Sequence, residues 1–195
     1  MKRIFITLFL VLSLVICLPS CDETKENADF VKFNEMIGNI PDNYKITVST
    51  TSTSGHILNN QYSITTIDGV SKIEYRIETF NDFSIDGNNI VSNGYKTVTE
   101  GVCDNAQQTP GLGSYYNPCF AFSNKNIGSY NVTSDMFTGQ ITSLSGFMGL
   151  DKGLDEGYAE NAKFTVSYSE NYINSVEIIY VTAHGNTVVI TYTFN

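Results

Sequence analysis

The side chains able to carry chemistry are few and scattered. Two histidines occur, His56 and His184. His56 lies in a stretch rich in Thr, Ser, Gly and Asn, and His184 stands at an expected hairpin turn, so both read as solvated turn residues. A Ser-His-Asp triad needs no proximity in sequence, which keeps a hydrolase with dispersed residues as one class of function. No nucleophile elbow marks its serine: in Ser143-Leu144-Ser145-Gly146-Phe147 neither glycine of that motif flanks Ser145. No Cys/His spacing suits zinc. Asp82, Ser84 and Asp86, with Gly87 next, imitate the opening of an EF-hand loop, yet the position that needs a bidentate Glu is Asn93. Asp151, Asp155 and Glu156 crowd a glycine-rich stretch and read as mutually repelling acids on a solvated loop. Glu74 and Glu78 fall on the solvent face of an expected strand and are not read as a glycosidase pair. Asn131-Val132-Thr133 is a glycosylation sequon only in a eukaryotic source. The expectation is therefore no catalytic residue, no metal site and no cofactor.

Composition narrows the partners. The 195-residue chain carries a formal charge of −9, and charged residues make up only 16% of it. Without Lys2 and Arg3, nine basic and twenty acidic side chains remain, a charge of −11. Such a surface repels phosphate backbones, so nucleic acid is excluded as a partner. Thr, Ser and Asn fill the polar positions, and every aromatic is Tyr or Phe. That mix favours strands and turns.

Met1-Lys2-Arg3 is a short positive segment, and Ile4 to Leu18 is almost wholly apolar. Fifteen residues of helix span about 22 Å, short of a bilayer core of about 30 Å, which is the build of an export signal rather than a permanent span. Leu18-Pro19-Ser20-Cys21 follows. This tail resembles the lipobox of bacterial lipoproteins: an aliphatic residue, two mostly small residues and a cysteine. The resemblance covers the first 21 residues. It implies that residues 1–20 are removed, that Cys21 is acylated, and that the protein is held in the bacterial cell envelope on the extracytoplasmic side of a membrane. An ordinary cleavable signal cut after Cys17 is the alternative, and it leaves Cys21, Cys103 and Cys119, an odd number. With Cys21 lipidated, Cys103 and Cys119 are expected to form one disulfide, stapling a surface loop over 101–120.

The remainder reads as elements. Residues 21–28 are polar and form a tether. Asn27 is placed to cap a helix whose apolar stripe is Phe30, Phe33, Met36, Ile37 and Ile40, stopped by Gly38 and Pro41. From Tyr44 the period becomes two: Tyr44, Ile46 and Val48; Tyr62 and Ile64; Ile73, Tyr75 and Ile77; Phe164, Val166 and Tyr168; Val176, Ile178 and Tyr180; Val188, Ile190, Tyr192 and Phe194. Asp68-Gly69 and Gly185-Asn186 are two-residue turn signals. Ile179 and Val181 add a second apolar face, which predicts a central strand covered on both sides. Residues 101–162 show weak periodicity, with one short helix expected over 142–150 around Leu144, Phe147 and Met148.

Residues 29–195 thus form a single α+β domain: an N-terminal helix packed on a curved, mainly antiparallel sheet of about six to eight strands, or an open half-barrel. That style is reminiscent of periplasmic lipid-carrier and cell-wall lipoprotein folds, and fold alone does not give function. The expected role is a non-enzymatic module that binds an apolar ligand on a Tyr/Phe-lined concave face, or a cell-envelope protein. A purely structural or interaction protein is the second class. Tyr115 and Tyr116, on the stapled loop, are the expected contact residues.

Overall fold

The computed structural model describes residues 27–53, 56–80, 83–86, 89–92, 96–149 and 162–194. The leader, Cys21, the aspartates and glutamate at 151, 155 and 156, and Asp82, Gly87 and Asn93 lie outside the described residues. The chain runs α1 (Ala28–Ile37), β1 (Tyr44–Thr51), β2 (Ile57–Ile67), β3 (Val70–Phe80), β4 (Phe83–Asp86), β5 (Asn89–Ser92), β6 (Lys96–Cys103), a 3-10 turn (Gly113–Tyr115), β7 (Ile127–Val132), β8 (Met136–Ile141), α2 (Leu144–Met148), β9 (Lys163–Ser169), β10 (Tyr172–Val181) and β11 (Thr187–Phe194). Nine strands form one sheet in the order β6-β3-β2-β1-β11-β10-β9-β8-β7, and β4 and β5 make a separate two-stranded ribbon. Every recorded pairing is antiparallel. The sheet is open, with β6 and β7 as its edges.

This is a mainly β architecture with more strands than the six to eight expected. The excess lies where periodicity is weak. β7 and β8 arise inside 101–162, and β7 carries a register shift between Ile127 and Tyr130 that breaks alternation. Gly139 on β8 also hides the pattern. A Cβ there would stand 2.7 Å from the Phe164 ring, so the missing side chain is what lets that ring lie flat against the strand.

Alternation sorts the sheet into two faces. Ile46, Ile64, Ile73, Val166, Val176, Ile178 and Ile190 are buried on the inner face. Helix α1 lays Phe30, Phe33 and Met36 on that face. Asn27 caps it by accepting from the Asp29 N–H at 3.0 Å. An aromatic chain then crosses the core. Phe33 stacks on Phe137 at 4.3 Å and meets Tyr168 edge-on at 5.1 Å. Phe137 meets Phe164 at 4.8 Å, Phe164 stacks on Phe147 of α2 at 5.3 Å, and Phe120 links Phe147 to Tyr192.

Two expectations about β10 and its turn are corrected. β10 does lie inside the sheet, but Ile179 is 37% exposed, so its second face faces out rather than under a cover. The β10–β11 connection is longer than Gly185-Asn186. Thr182 N donates to Asn186 O at 2.8 Å and Gly185 N to Thr182 O at 2.8 Å, with Gly185 at φ +77°. Ala183, His184 and Gly185 therefore make the turn. Asp68-Gly69, by contrast, is a two-residue turn with φ +52° and +76°, as a type I′ hairpin requires.

Because Phe33 sits at the junction of helix and sheet, Phe33→Ala is expected to cost roughly 3–5 kcal/mol. Ile179→Ser is expected to stay within about 0.5 kcal/mol. Urea unfolding midpoints of the two variants check this pair.

Candidate functional site

The inner face of β1, β2, β3 and β11 is closed by residues 104–122, a strap that leaves edge strand β6 and crosses the sheet. Its anchor is Leu112, which is fully buried. The rest is held by tyrosine hydroxyls that reach up from the strands to strap backbone. Tyr62 donates to Pro110 O at 2.8 Å, Tyr192 donates to Tyr115 O at 3.1 Å, and Tyr44 accepts from Asn117 N at 3.1 Å. Gly111, at φ +68°, comes so close that a Cβ would stand 2.7 Å from Asn60 Nδ2 and 2.8 Å from the Tyr62 hydroxyl. Further along, Asn34 of α1 pairs with Phe122 both ways, Nδ2 to O at 2.9 Å and N to Oδ1 at 3.0 Å. The strap thus runs from β6 past β2, β1 and β11 to the helix.

The expected Cys103–Cys119 disulfide is not present in this structure. Cys103 and Cys119 are both free thiols. Cys103 ends β6, opposite Ile73. Cys119 lies beside Gly149, next to Phe120, whose ring meets Tyr192 of β11. The loop does lie at the surface, with Asp104, Asn105, Gln107, Gln108, Pro110 and Gly113 exposed, and it is pinned from beneath by buried Thr109, Leu112 and Phe120.

Tyr115 and Tyr116, the expected contact residues, lean on the core. Both are half-buried against the core. The Tyr116 hydroxyl is engaged with Ser71 Oγ at 2.8 Å. The inner face, expected to be free for an apolar ligand, is occupied by the strap and the two helices. A ligand there would have to displace them.

The other residues singled out by type are dispersed. His56 and His184 are exposed on adjoining loops; the Thr53 methyl lies 3.1 Å from where a Cβ on Gly185 would stand. Ser145 is buried in α2 on the inner side. Among the described residues no three His, Cys, Asp or Glu side chains group to hold a metal. Glu74 and Glu78 sit on the outer face in ion pairs. Lys72 holds Glu74 at 2.7 Å, and Arg76 and Lys96 hold Glu78 at 2.7 and 2.9 Å. The hydrogen bond from Lys72 lowers the Glu74 pKa, and those from Lys96 and Arg76 lower that of Glu78. Both are poised as anions, not as general acids.

The outer face of β1, β2, β3 and β6 carries a shallow groove of about 670 Å³. Lys45, Thr47, Gln61, Ser63, Arg76 and Glu100 line it. Register explains the grouping. Lys45 faces Ser63 and Ser63 faces Glu74; Thr47 faces Gln61, Gln61 faces Arg76, and Arg76 faces and bonds Glu100. These are the polar partners of the buried positions, so the alternation that located the core also marked them. Only the strand order was lacking to bring them together.

No protein-family model matches the chain, and no characterised protein matches it in sequence. Solved structures give weak likenesses. A redesigned β-barrel bound to DFHBI is 12% identical over 82% of this chain and 98% of its own, with a TM-score of 0.21. A de novo designed fluorescence-activating β-barrel is 10% identical over 83% and 98%, at 0.21. A LolA superfamily protein from Nitrosomonas europaea is 8% identical over 84% and 89%, at 0.29. At these scores the likenesses carry no argument about fold or function.

Two outcomes follow from the strap. Burial pushes the Tyr44 hydroxyl up to about 12, partly offset by the Asn117 N–H, and pushes Tyr62 up to about 12, partly offset by Asn60. Both start from an ordinary value of 10.0, which is where the unfolded chain ionises. Their contribution to stability is full below that value and is lost as pH rises towards 12. Unfolding midpoints measured across that alkaline window should fall, and less so in a Tyr44→Phe, Tyr62→Phe double variant. The thiols give the second outcome: alkylation of the folded protein should modify exposed Cys119 faster than half-buried Cys103, and a Cys103–Cys119 peptide in a non-reducing digest would contradict the strap path.

Proposed function

We propose that this chain is a lipid-anchored, non-enzymatic interaction module of the bacterial cell envelope, and that it meets a polar partner across the outer face of β1, β2, β3 and β6. One observation carries the reading: the inner face is filled by the chain's own strap, while the outer groove is open and lined by both signs of charge on facing strands. A binding surface of this kind suits an extended polar segment of a macromolecule. An enclosed apolar molecule needs a concave apolar pocket instead. Opposed charges arranged by strand register would fix which way such a segment lies.

The anchor rests on Leu18-Pro19-Ser20-Cys21 and its likeness to a lipobox. Two acyl chains hold a protein stably at a bilayer where one holds it only marginally. The polar stretch before α1 would then let the domain stand off the membrane with its outer face turned to the envelope.

The test uses a photo-crosslinking residue at Gln61 and, as a control on the outer face of β9, at Thr165. Adducts in the native envelope are expected from position 61 and not from 165. Equal labelling, or an apolar ligand that copurifies with the protein in native mass spectrometry, would overturn the reading. For the anchor, Cys21→Ser is expected to shift the protein out of the detergent phase or to leave the leader uncut. Unchanged aqueous partitioning of both forms would remove the lipid from the account.

A further inference from the structure

The two edges of the sheet are unequal. β7 has six residues, its register breaks between Ile127 and Tyr130, and the Tyr130 hydroxyl is tied to the Asn27 side chain. Such irregularity blunts an edge. β6 has eight residues in unbroken register with β3, from Lys96 opposite Phe80 to Cys103 opposite Ile73. It contains no proline, and Lys96 to Glu100 are exposed on both faces of the sheet. Among the described residues no strand pairs with its other side.

We propose that this edge pairs with the β6 edge of a second copy of the chain, antiparallel and centred on Val98. The register follows from charge and hydrogen-bond geometry. In an antiparallel pair directly opposed residues bond in the same direction, so registers move in steps of two. Centring on Val98 sets Lys96 against Glu100 of the second copy, Thr97 against Thr99, and Val98, 44% exposed, against itself. These are the opposite-charge, threonine and β-branched pairs that stabilise neighbouring strands. Centring on Thr99 instead sets Lys96 against Val102 and Val98 against Glu100. Centring on Glu100 sets that carboxylate against itself, and centring on Thr97 sets Lys96 against Val98.

The favoured register also completes a row of charges. Lys96 already holds Glu78, and Glu100 holds Arg76. Across the junction the order becomes Glu78, Lys96, Glu100 of the second copy, Arg76 of the second copy, alternating in sign. The arrangement is twofold and self-complementary, so it closes as a dimer. The blunted β7 edge offers no second junction from which a filament could grow. The inference does not rest on the proposed partner groove, because it needs only purified protein.

The experiment is sedimentation of the full chain over a concentration series, alone and with charge reversals. The wild type is expected to dimerise, less so as salt rises. Glu100→Lys and Lys96→Glu should each weaken self-association at least about tenfold, since each replaces attraction by repulsion at both symmetric pairs. An equimolar mixture of the two variants should dimerise again, because every crossing pair is then of opposite charge. A wild type that stays monomeric, or variants that associate as well alone as when mixed, would overturn the proposal. Should a reversal impair folding, Val98→Cys with Cys103 and Cys119 changed to Ser decides instead. Oxidation should then give a covalent dimer well above the same background without it, and no increase would refute the register.

Discussion

An open sheet whose inner face is lined with aromatic rings cannot bury that face on itself. A closed barrel folds the face inward, but here β6 and β7 remain apart as edges. The cover must come from chain outside the sheet, and that requirement shapes the rest of the structure. Helices α1 and α2 close the half built from β7 to β10, and the strap closes the half built from β1 to β3 and β11. Phe122 joins the two covers. Its backbone is gripped by Asn34 of α1, and its ring meets Phe33, Phe137, Phe147 and Phe164.

Covering a face with irregular chain brings backbone polar groups into the interior, where they need partners. Helices satisfy their own. The strap does so only in part, through turns such as Leu112 N to Thr109 O and Tyr115 N to Leu112 O, and the sheet adds three more bonds through tyrosines. Each buries a ring on the strand and carries a hydroxyl at the height of the strap, so one residue type provides both packing and hydrogen bonding. This accounts for tyrosine rather than phenylalanine at 44, 62 and 192. The accounting leaves Asn60 Oδ1 over: it is buried with no partner among the described residues. An unmet acceptor of that kind costs about 1–3 kcal/mol, and the Asn60 amide and the Tyr62 hydroxyl both lie close beneath Gly111.

How much of this could be read from the residues depends on how local the cause is. The stripe Phe30, Phe33 and Met36 with Asn27 ahead of it is a helix signal complete within one segment. So are the alternating runs from Tyr44 and from Phe164, and the Asp68-Gly69 turn. β7 and β8 were illegible because a bulge and a missing side chain at Gly139 erase alternation where the core demands space. The strap was misread for a different reason. Gly, Pro and Tyr between two cysteines have the composition of an exposed loop, and Pro110, Gly111 and Gly113 are indeed exposed; what composition hides is that Leu112 and Phe120 plug the core and that tyrosines on strands remote in sequence hold the loop's backbone. Cysteine arithmetic failed on the same ground. Spacing along the chain limits loop length, but it does not report that the chain between Cys103 and Cys119 travels across the sheet instead of returning. The outer groove was half legible, since its residues are the alternates of core positions while their assembly needs the order of four strands.

The filled interior also decides what kind of recognition this domain can perform. A carrier stores its cargo in the space between cover and sheet, and here that space holds Leu112, Phe120 and Phe122. The outer face carries its charges in neutralising rows rather than as a single-sign field. Lys72 with Glu74, and Arg76 and Lys96 with Glu78, leave little net charge on β3 although the whole chain is strongly acidic. Rows of this kind attract weakly at a distance, because their fields cancel beyond about a Debye length of 10 Å. At contact they discriminate, since a shift in register separates the opposite charges, and on β6 a shift of two steps sets Glu100 against itself. A face with little net charge gains little from long-range steering and much from correct register, and the alternating charges of β3 and β6 suit the second.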